Sequence, residues 1–366
     1  MLDQLIERRR ALHQIPELGF DLPKTQAYLL EQTAAWGVPV ETVAGCGLAA
    51  YFDFGCRETA LFRSDMDALP VEEPPGCPFA SRHPGRMHAC GHDGHMAMLL
   101  ALGDQLAQGG EAPRNALLVF QPAEESGGGG REIAHSGLLE RRRVRRAYAL
   151  HVEPMLPAGV LSSRPGPFMA RSSEVHLKVT GRSAHAARSA EGLDALQAAA
   201  RFVSLAADRE QEMDPAIPRL LKFGLLKSGT AVNIIAGEAL VGGTLRTFDP
   251  QVFQDMSRML AQCAQAVEAR YGVRASLMID AGYPALINDP DLYQEARQLL
   301  SGFSLVQAPQ PSLLAEDFSF YGERLPILMF HLGLGTGHPL HAREFAIDES
   351  ALAVGAQALI RLARGR

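Results

Sequence analysis

The stretch NALLVFQPAEE, residues 115–125, sets five apolar residues, Ala116 to Phe120, just ahead of two adjacent glutamates. An apolar run that short, closed by polar residues and Pro122, reads as a buried strand. Two other runs repeat the pattern: TALFRSDM (59–66) leads into Asp65, and RAYALHVE (146–153) leads into His151 and Glu153. Buried strands that carry reactive groups at their carboxyl ends suit a mostly parallel sheet. GLAAYFDF (47–54) reads as a further strand, and DGHMAMLLALGDQLAQ (93–108) has the length and period of a covering helix. Residues 5–35 read as a long helix interrupted by IPELGF (15–20) at Pro16. The expected fold is α/β, a mixed, mostly parallel sheet with helices on both faces.

A chain of 366 residues exceeds one ordinary core, so two domains are expected. The pattern changes after GVLSSRPGPF (159–168). From Ser172 strands and helices alternate through EVHLKVTGR (174–182), a helical stretch at 192–211, two strand-like runs at 219–229 and 239–248, a helix at 252–272 and RASLMIDAG (274–282). That is a compact unit of about a hundred residues, enough to fold alone. The tail from Tyr283 resumes helix, strand and helix and carries GHPLHAREF (337–345), a histidine-bearing segment that makes sense if the chain returns to the first domain. We therefore expect a discontinuous catalytic domain, 1–168 and 283–366, with an inserted α+β domain at 169–282. GGGG (127–130) reads as a flexible loop opening the next helix.

Hydrophobic residues make up 47% of the chain and no apolar run reaches the length of a membrane span, so a soluble protein with no membrane partner is expected. The N-terminal MLDQLIERRRAL carries charges where a signal peptide needs an apolar run, and it reads as a cytosolic amphipathic helix. Five cysteines at scattered positions make no disulfide framework, which fits a reducing compartment. A net charge of −6 argues against a nucleic-acid partner. The single basic run, RRRVRR (141–146), reads as a solvated helix end or loop.

MHACGHDGHM (87–96) packs three histidines, a cysteine and an aspartate into ten positions. Cys90 and His92 lie two apart, so in an extended segment both side chains face one side, as two ligands of one site would. Glu124 and Glu125 after one strand and His151 at the end of another offer more. Thiolate, imidazole and carboxylate together suit Zn²⁺, or Mn²⁺ or another divalent ion where carboxylates weigh more. At a strand end or turn, one glutamate can bind metal while its neighbour takes a proton from the attacking water. A catalytic thiol at Cys90 is the rival and needs His88 or His92 as its base. It leaves Glu125 and His151 at neighbouring strand ends unexplained.

RSDMDALP (63–70), HACGHDGHMA (88–97), QPAEE (121–125), ALHV (149–152), GRSAHAA (181–187), GTAVNIIAGEALVGGTLRTF (229–248), AEDFSFY (315–321) and LHAREFAIDESAL (340–352) follow one another along the chain. In this order they resemble the M20 metallopeptidases, in particular the aminoacylase, hippurate hydrolase and indole-acetyl-amino-acid hydrolase branch, which includes N-acetyldiaminopimelate deacetylases. The resemblance implies a zinc-peptidase-like catalytic domain and an inserted lid that also dimerises. It implies two divalent ions, Zn²⁺ or Mn²⁺ with Co²⁺ and Ni²⁺ as further options, held by Cys90, His92, Glu125, His151 and His341. Cys90 matches the bridging thiolate and Glu124 the general base. Asp65 and Asp67 lie in a motif that supports the site, and His95 is expected to pack or orient rather than to ligate.

In the lid, His185 matches the group that reaches into the partner subunit's site to stabilise the oxyanion. Asn233 and Arg246 match positions that hold a substrate carboxylate, where an arginine fork demands a free amino acid on the leaving side. Without the resemblance, Arg246 reads as a surface charge ending a strand and Asn233 as a turn cap. His83, His135, His176, His331 and His338 match no role and read as surface or packing histidines. The departures are RSAEGLDAL (188–196), which lacks a usual proline before its glycine, and ERLPILMFHLG (323–333), which lacks the usual proline-glycine. Both bear on substrate preference rather than on metal binding.

The expected activity is metal-dependent hydrolysis of a small-molecule N-acyl amino acid by a cytoplasmic homodimer, releasing a carboxylic acid and a free amino acid. A dipeptidase or carboxypeptidase using the same site is the alternative. A non-catalytic metal-binding protein should lack a ligand or the base, and none is missing.

Overall fold

The computed structural model describes residues 2–365 and divides into two compact units. One comprises Met1–Phe168, Ile287–Pro311 and Glu316–Arg366, the other Met169–Leu286 and Ser312–Ala315. The return to the first unit comes later than the expected Tyr283, because Tyr283 and Ser172 still exchange backbone hydrogen bonds of 3.1 and 3.2 Å. Ser312–Ala315 goes with the second unit, where the Leu314 carbonyl accepts the Ala170 N–H at 2.9 Å.

The first unit is built on an eight-stranded sheet in the order Val40–Val43, Gly47–Phe52, Asn115–Gln121, Thr59–Asp65, Val144–Glu153, Ile327–Gly333, Leu161–Ser163, Leu305–Gln307. Thr59–Asp65 runs parallel to both neighbours, and Val144–Glu153 is also parallel to Ile327–Gly333. The four central strands are therefore parallel, as is the edge pair Leu161–Ser163 and Leu305–Gln307, and all seven residues of Thr59–Asp65 and of Asn115–Gln121 are buried. That explains their continuous apolar reading, since a strand covered on both faces has no solvent side to alternate with. Their parallel direction also brings Asp65, Gln121 and the end of Val144–Glu153 to one edge of the sheet.

His92–Ala107 is the central helix of this unit, with 13 of its 16 residues buried. It packs against the Leu2–His13 and Glu349–Arg364 helices as well as the sheet, so it is apolar nearly all round. The segment around Pro16 separates Leu2–His13 from Pro23–Ala34, as the sequence suggests. The basic run is more tied down than a solvated loop: Arg142 donates to Glu41 Oε1 at 2.7 Å and Arg146 to Glu295 Oε2 at 2.5 Å.

The second unit has a four-stranded antiparallel sheet, Arg219–Ser228, Glu238–Thr247, Arg171–Thr180, Arg274–Ile279. Arg171–Thr180 alternates strictly from Ser173 on, with Val175, Leu177 and Val179 buried against helices Ala195–Gln211 and Pro250–Tyr271. Asp194 and Asp249 cap those helices by accepting N–H groups of their first turns. Leu225, Leu226 and Leu240 remain 40–43% exposed, and Arg219–Ser228 is an edge strand.

Candidate metal centre

Cys90 and His92 reach the centre by a route the two-residue spacing does not reveal. The segment is not extended: Cys90 sits in a turn, Gly91 has φ +84°, and His92 opens the central helix. A Cβ at Gly91 would lie 2.5 Å from Val152 Cγ2, so this turn requires glycine for both its backbone conformation and its space. The His92 Nδ1–H donates to the Asp67 carbonyl at 2.7 Å, which leaves Nε2 buried and without a hydrogen-bond partner. His151 is arranged alike. Its Nδ1–H donates to the Val152 carbonyl at 2.7 Å, and its Nε2 lies 3.4 Å from Cys90 Sγ.

Glu124 and Glu125 lie in a turn after the strand rather than in it, following Ala123 at φ +54°. Their N–H groups donate to the two oxygens of Asp67, at 3.0 and 3.2 Å. The glycines after them make no flexible loop. A Cβ at Gly129 would fall 1.8 Å from the Pro122 carbonyl oxygen, one at Gly130 2.6 Å from the Asp317 carbonyl oxygen, and Gly128 has φ +68°. Close backbone packing is why glycine recurs here, and it holds the glutamate turn against the sheet.

His341 arrives from the distant C-terminal segment with φ +64°, a conformation that costs an L-residue about 1–2 kcal/mol. Its N–H donates to the Ala89 carbonyl at 2.9 Å, which ties it to the Cys90 turn. His341 Nε2 is 3.2 Å from Glu125 Oε1, and His92 Nε2 is 3.8 Å from the same oxygen. The fold thus gathers all five expected ligands in the first unit: Cys90, Glu125 and His341 form one close group, His92 with Glu124 and Glu125 another, and His151 adjoins Cys90.

The charge distribution suits a cation. Burial opposes charge on His92, yet Asp65, Asp67 and Glu125 lift its pKa to about 10. Burial, then the neighbouring Glu125 and Glu124, push the Cys90 thiol well above its usual range. A free thiol nucleophile needs the opposite shift, whereas a divalent ion replaces the protons on both groups. Together with the buried Nε2 of His92, which has no hydrogen-bond partner, this donor set fits metal. For Glu124, burial and the carboxylates of Glu316, Asp317 and Glu125 outweigh Arg63 and raise the pKa well above the ordinary carboxylate range.

Asp65, Asp67 and His95 frame these groups. His95 donates from Nδ1 to Asp65 Oδ1 at 2.7 Å and accepts the Val152 N–H on Nε2 at 2.9 Å, so neither ring nitrogen is free. Burial opposes ionisation of Asp65, but His92, His95 and Arg63 hold its carboxyl well below the usual range. Sequence reading missed Arg63, Glu316 and Asp317. The fully buried Arg63 guanidinium bridges Asp65 at 2.8 Å, Glu316 at 2.9 Å and Asp317 at 2.8 Å, and Asp317 also accepts the Gly130 N–H at 2.8 Å. The available signal was a charged residue inside an otherwise apolar strand, TALFRSD.

The other three expected residues lie in the second unit. His185 and Asn233 are exposed and adjacent: the Ala186 N–H donates to the Asn233 carbonyl at 2.9 Å, and His185 Nδ1 accepts the Ala187 N–H at 3.1 Å. Arg246 is half-buried in the Glu238–Thr247 strand opposite Ser172. Burial lowers its pKa, partly offset by Asp280 and Glu174.

Comparison with known proteins agrees with this chemistry. The chain is 37% identical to the N-acetyldiaminopimelate deacetylase of Streptococcus uberis over 96% of both chains. It is 33% identical to the N-acetyldiaminopimelate deacetylase of Shouchella clausii, covering 98% of this chain and 97% of the other. The crystal structure of the Bacillus subtilis YXEP protein, described as a dinuclear metal-binding peptidase from the M20 family, matches with a TM-score of 0.87 and 29% identity, over 99% of this chain and 97% of that one. The model of peptidase family M20/M25/M40 matches residues 61–365, and the chain belongs to that family, as its ordered motifs implied.

Proposed function

We propose that this protein is a metal-dependent amidohydrolase that removes the acyl group from N-acyl amino acids, with small acyl groups such as acetyl preferred. The observation that carries the reading is the convergence of Cys90, His92, Glu125, His151 and His341 beside a buried Glu124 whose affinity for a proton is raised above that of an ordinary carboxylate. The named activity of its deacetylase relatives supports it.

The five residues would hold two divalent ions, Zn²⁺ or Mn²⁺ first, which would supply water acidification and carbonyl polarisation when bound. Glu124 takes the proton of the attacking water and returns it to the leaving amine. His92 and His151 are oriented by their carbonyl partners, and Asp67 fixes the turn that carries Glu124. His185 stabilises the oxyanion from the partner subunit, while Asn233 and Arg246 hold the free carboxylate of the substrate. The exposed leucines beside the unpaired edge of Arg219–Ser228 support a homodimer formed through the second unit. Five free cysteines support a reducing, cytoplasmic location.

Amine release is to be measured from N-acyl amino acids and free dipeptides, with metal-stripped protein resupplied with Mn²⁺, Zn²⁺, Co²⁺ or Ni²⁺. Metal-restored turnover confined to acylated substrates is expected. Turnover of free dipeptides instead replaces this reading with a peptidase, and silence on both classes overturns it.

A further inference from the structure

A second group of metal-binding side chains lies at the end of the first helix, in residues that no motif above includes. His13, Glu73 and Cys77 each offer a ligand atom, and these atoms lie within 4.8 Å of one another. Tetrahedral zinc with ordinary Zn–N, Zn–O and Zn–S bonds spaces its donors about 3.5 Å apart. His13 Nε2 and Glu73 Oε1 already stand at 3.2 Å, so small side-chain movements close the site.

The surroundings are organised as metal sites are. Asp93 Oδ2 lies 2.7 Å from His13 Nδ1, which turns Nε2 toward Glu73 and Cys77. A carboxylate behind a histidine is the usual support of a zinc ligand, because it fixes the ring and raises its basicity. Glu73 Oε2 accepts the Ser81 N–H at 2.7 Å, leaving Oε1 on the His13 side. The nearby cations are paired with carboxylates: Arg9 pairs with Asp93 at 2.9 Å and with Glu349 at 3.3 Å while also lying 3.3 Å from His13 Nδ1, and Arg10 pairs with Glu349 at 2.6 Å. Both guanidinium groups lie over the Phe79 ring. Glu73 at Nε2, with the ionised form of Cys77 in the same cluster, supplies negative charge to His13, whereas Arg9 and Asp93 lie at Nδ1. The site is partly open, since His13 is buried whereas Glu73 and Cys77 are half-buried.

We propose that His13, Glu73 and Cys77 form a third metal site, separate from the amidohydrolase centre, that takes one zinc-class divalent ion and pins the 70–82 loop to the first helix. Binding forms one bond each to imidazole nitrogen, carboxylate oxygen and thiolate sulfur, and releases the Cys77 thiol proton and the proton on His13 Nε2. Among the described residues the group has three ligands, which leaves one position for water.

The test is zinc stoichiometry by equilibrium dialysis of the full-length protein, read as a difference between variants. Wild type is expected to bind one more Zn²⁺ per chain than Cys77→Ser or Glu73→Gln. Cys90→Ser is expected to keep that Cys77-dependent ion, which separates this site from the main centre. In the Cys90→Ser background, Cd²⁺ should give a sulfur-to-metal charge-transfer band that vanishes when Cys77→Ser is added. Equal stoichiometry in wild type and both variants, or a cadmium band that survives loss of Cys77, overturns the proposal. Turnover enters neither readout, so this result stands apart from the assay of the main centre.

Discussion

The backbone carbonyl of Asp67 accepts a 2.7 Å hydrogen bond from Nδ1 of His92, while the Asp67 carboxylate accepts the N–H groups of both Glu124 and Glu125. One residue therefore orients an imidazole and anchors the turn that bears the base. Asp67→Ala leaves one buried and one partly buried N–H group without this partner, at up to about 1–3 kcal/mol each. We expect a lower melting temperature and metal affinity weaker by about 10–100-fold, to be read by metal titration. Unchanged affinity would remove Asp67 from the support of the centre.

Glu124 projects no ligand that the other five do not duplicate, so its loss should separate chemistry from metal binding. Glu124→Gln is expected to keep the metal content and the fold and to lose about 10²–10⁴-fold in turnover. Normal turnover in a fully loaded variant would sink its assignment as the base.

His92 and His95 share a helix face, but only His92 has a free ring nitrogen. His92→Ala should lose a bound ion. His95→Ala should keep the full complement at saturating metal and show only weaker affinity, about 10–100-fold. Metal analysis after dialysis distinguishes the two, and loss of an ion from His95→Ala would make it a ligand.

The raised pKa of Cys90 makes a prediction about inhibition. Cys90 is buried, is tied up as a ligand when metal is bound and has a raised thiol pKa when it is not, so it alkylates slowly in either state. Chelation should abolish turnover and added metal restore it, whereas a short exposure to iodoacetamide should leave it intact. The reverse pattern would revive the thiol mechanism.

Gly129→Ala tests whether the glycine run is packed or loose. Its Cβ would meet the Pro122 carbonyl oxygen at 1.8 Å, and backbone cannot move aside as a side chain can. A loss of about 2 kcal/mol or more is expected in denaturant unfolding. A neutral substitution would restore the flexible-loop reading.

Sequence alone settled the class of the fold, because burial on both faces forces Thr59–Asp65 and Asn115–Gln121 into continuous apolar runs, and parallel pairing sends the polar residues that follow to one edge. In the second unit the one-sided sheet leaves alternation in Arg171–Thr180, which local patterning can register. What it could not decide was contact between distant segments. Arg63 meets Asp317 across 254 positions, and Cys90 meets His151 across 61. His13 reaches Glu73 across 60 with no spacing to announce it. Glycine is ambiguous for the same reason: GGGG reads as freedom in the chain and becomes constraint only once Pro122 and Asp317 stand against it. Apolar periodicity is a local consequence of burial, whereas a polar site is made by whichever side chains the finished fold brings to one place.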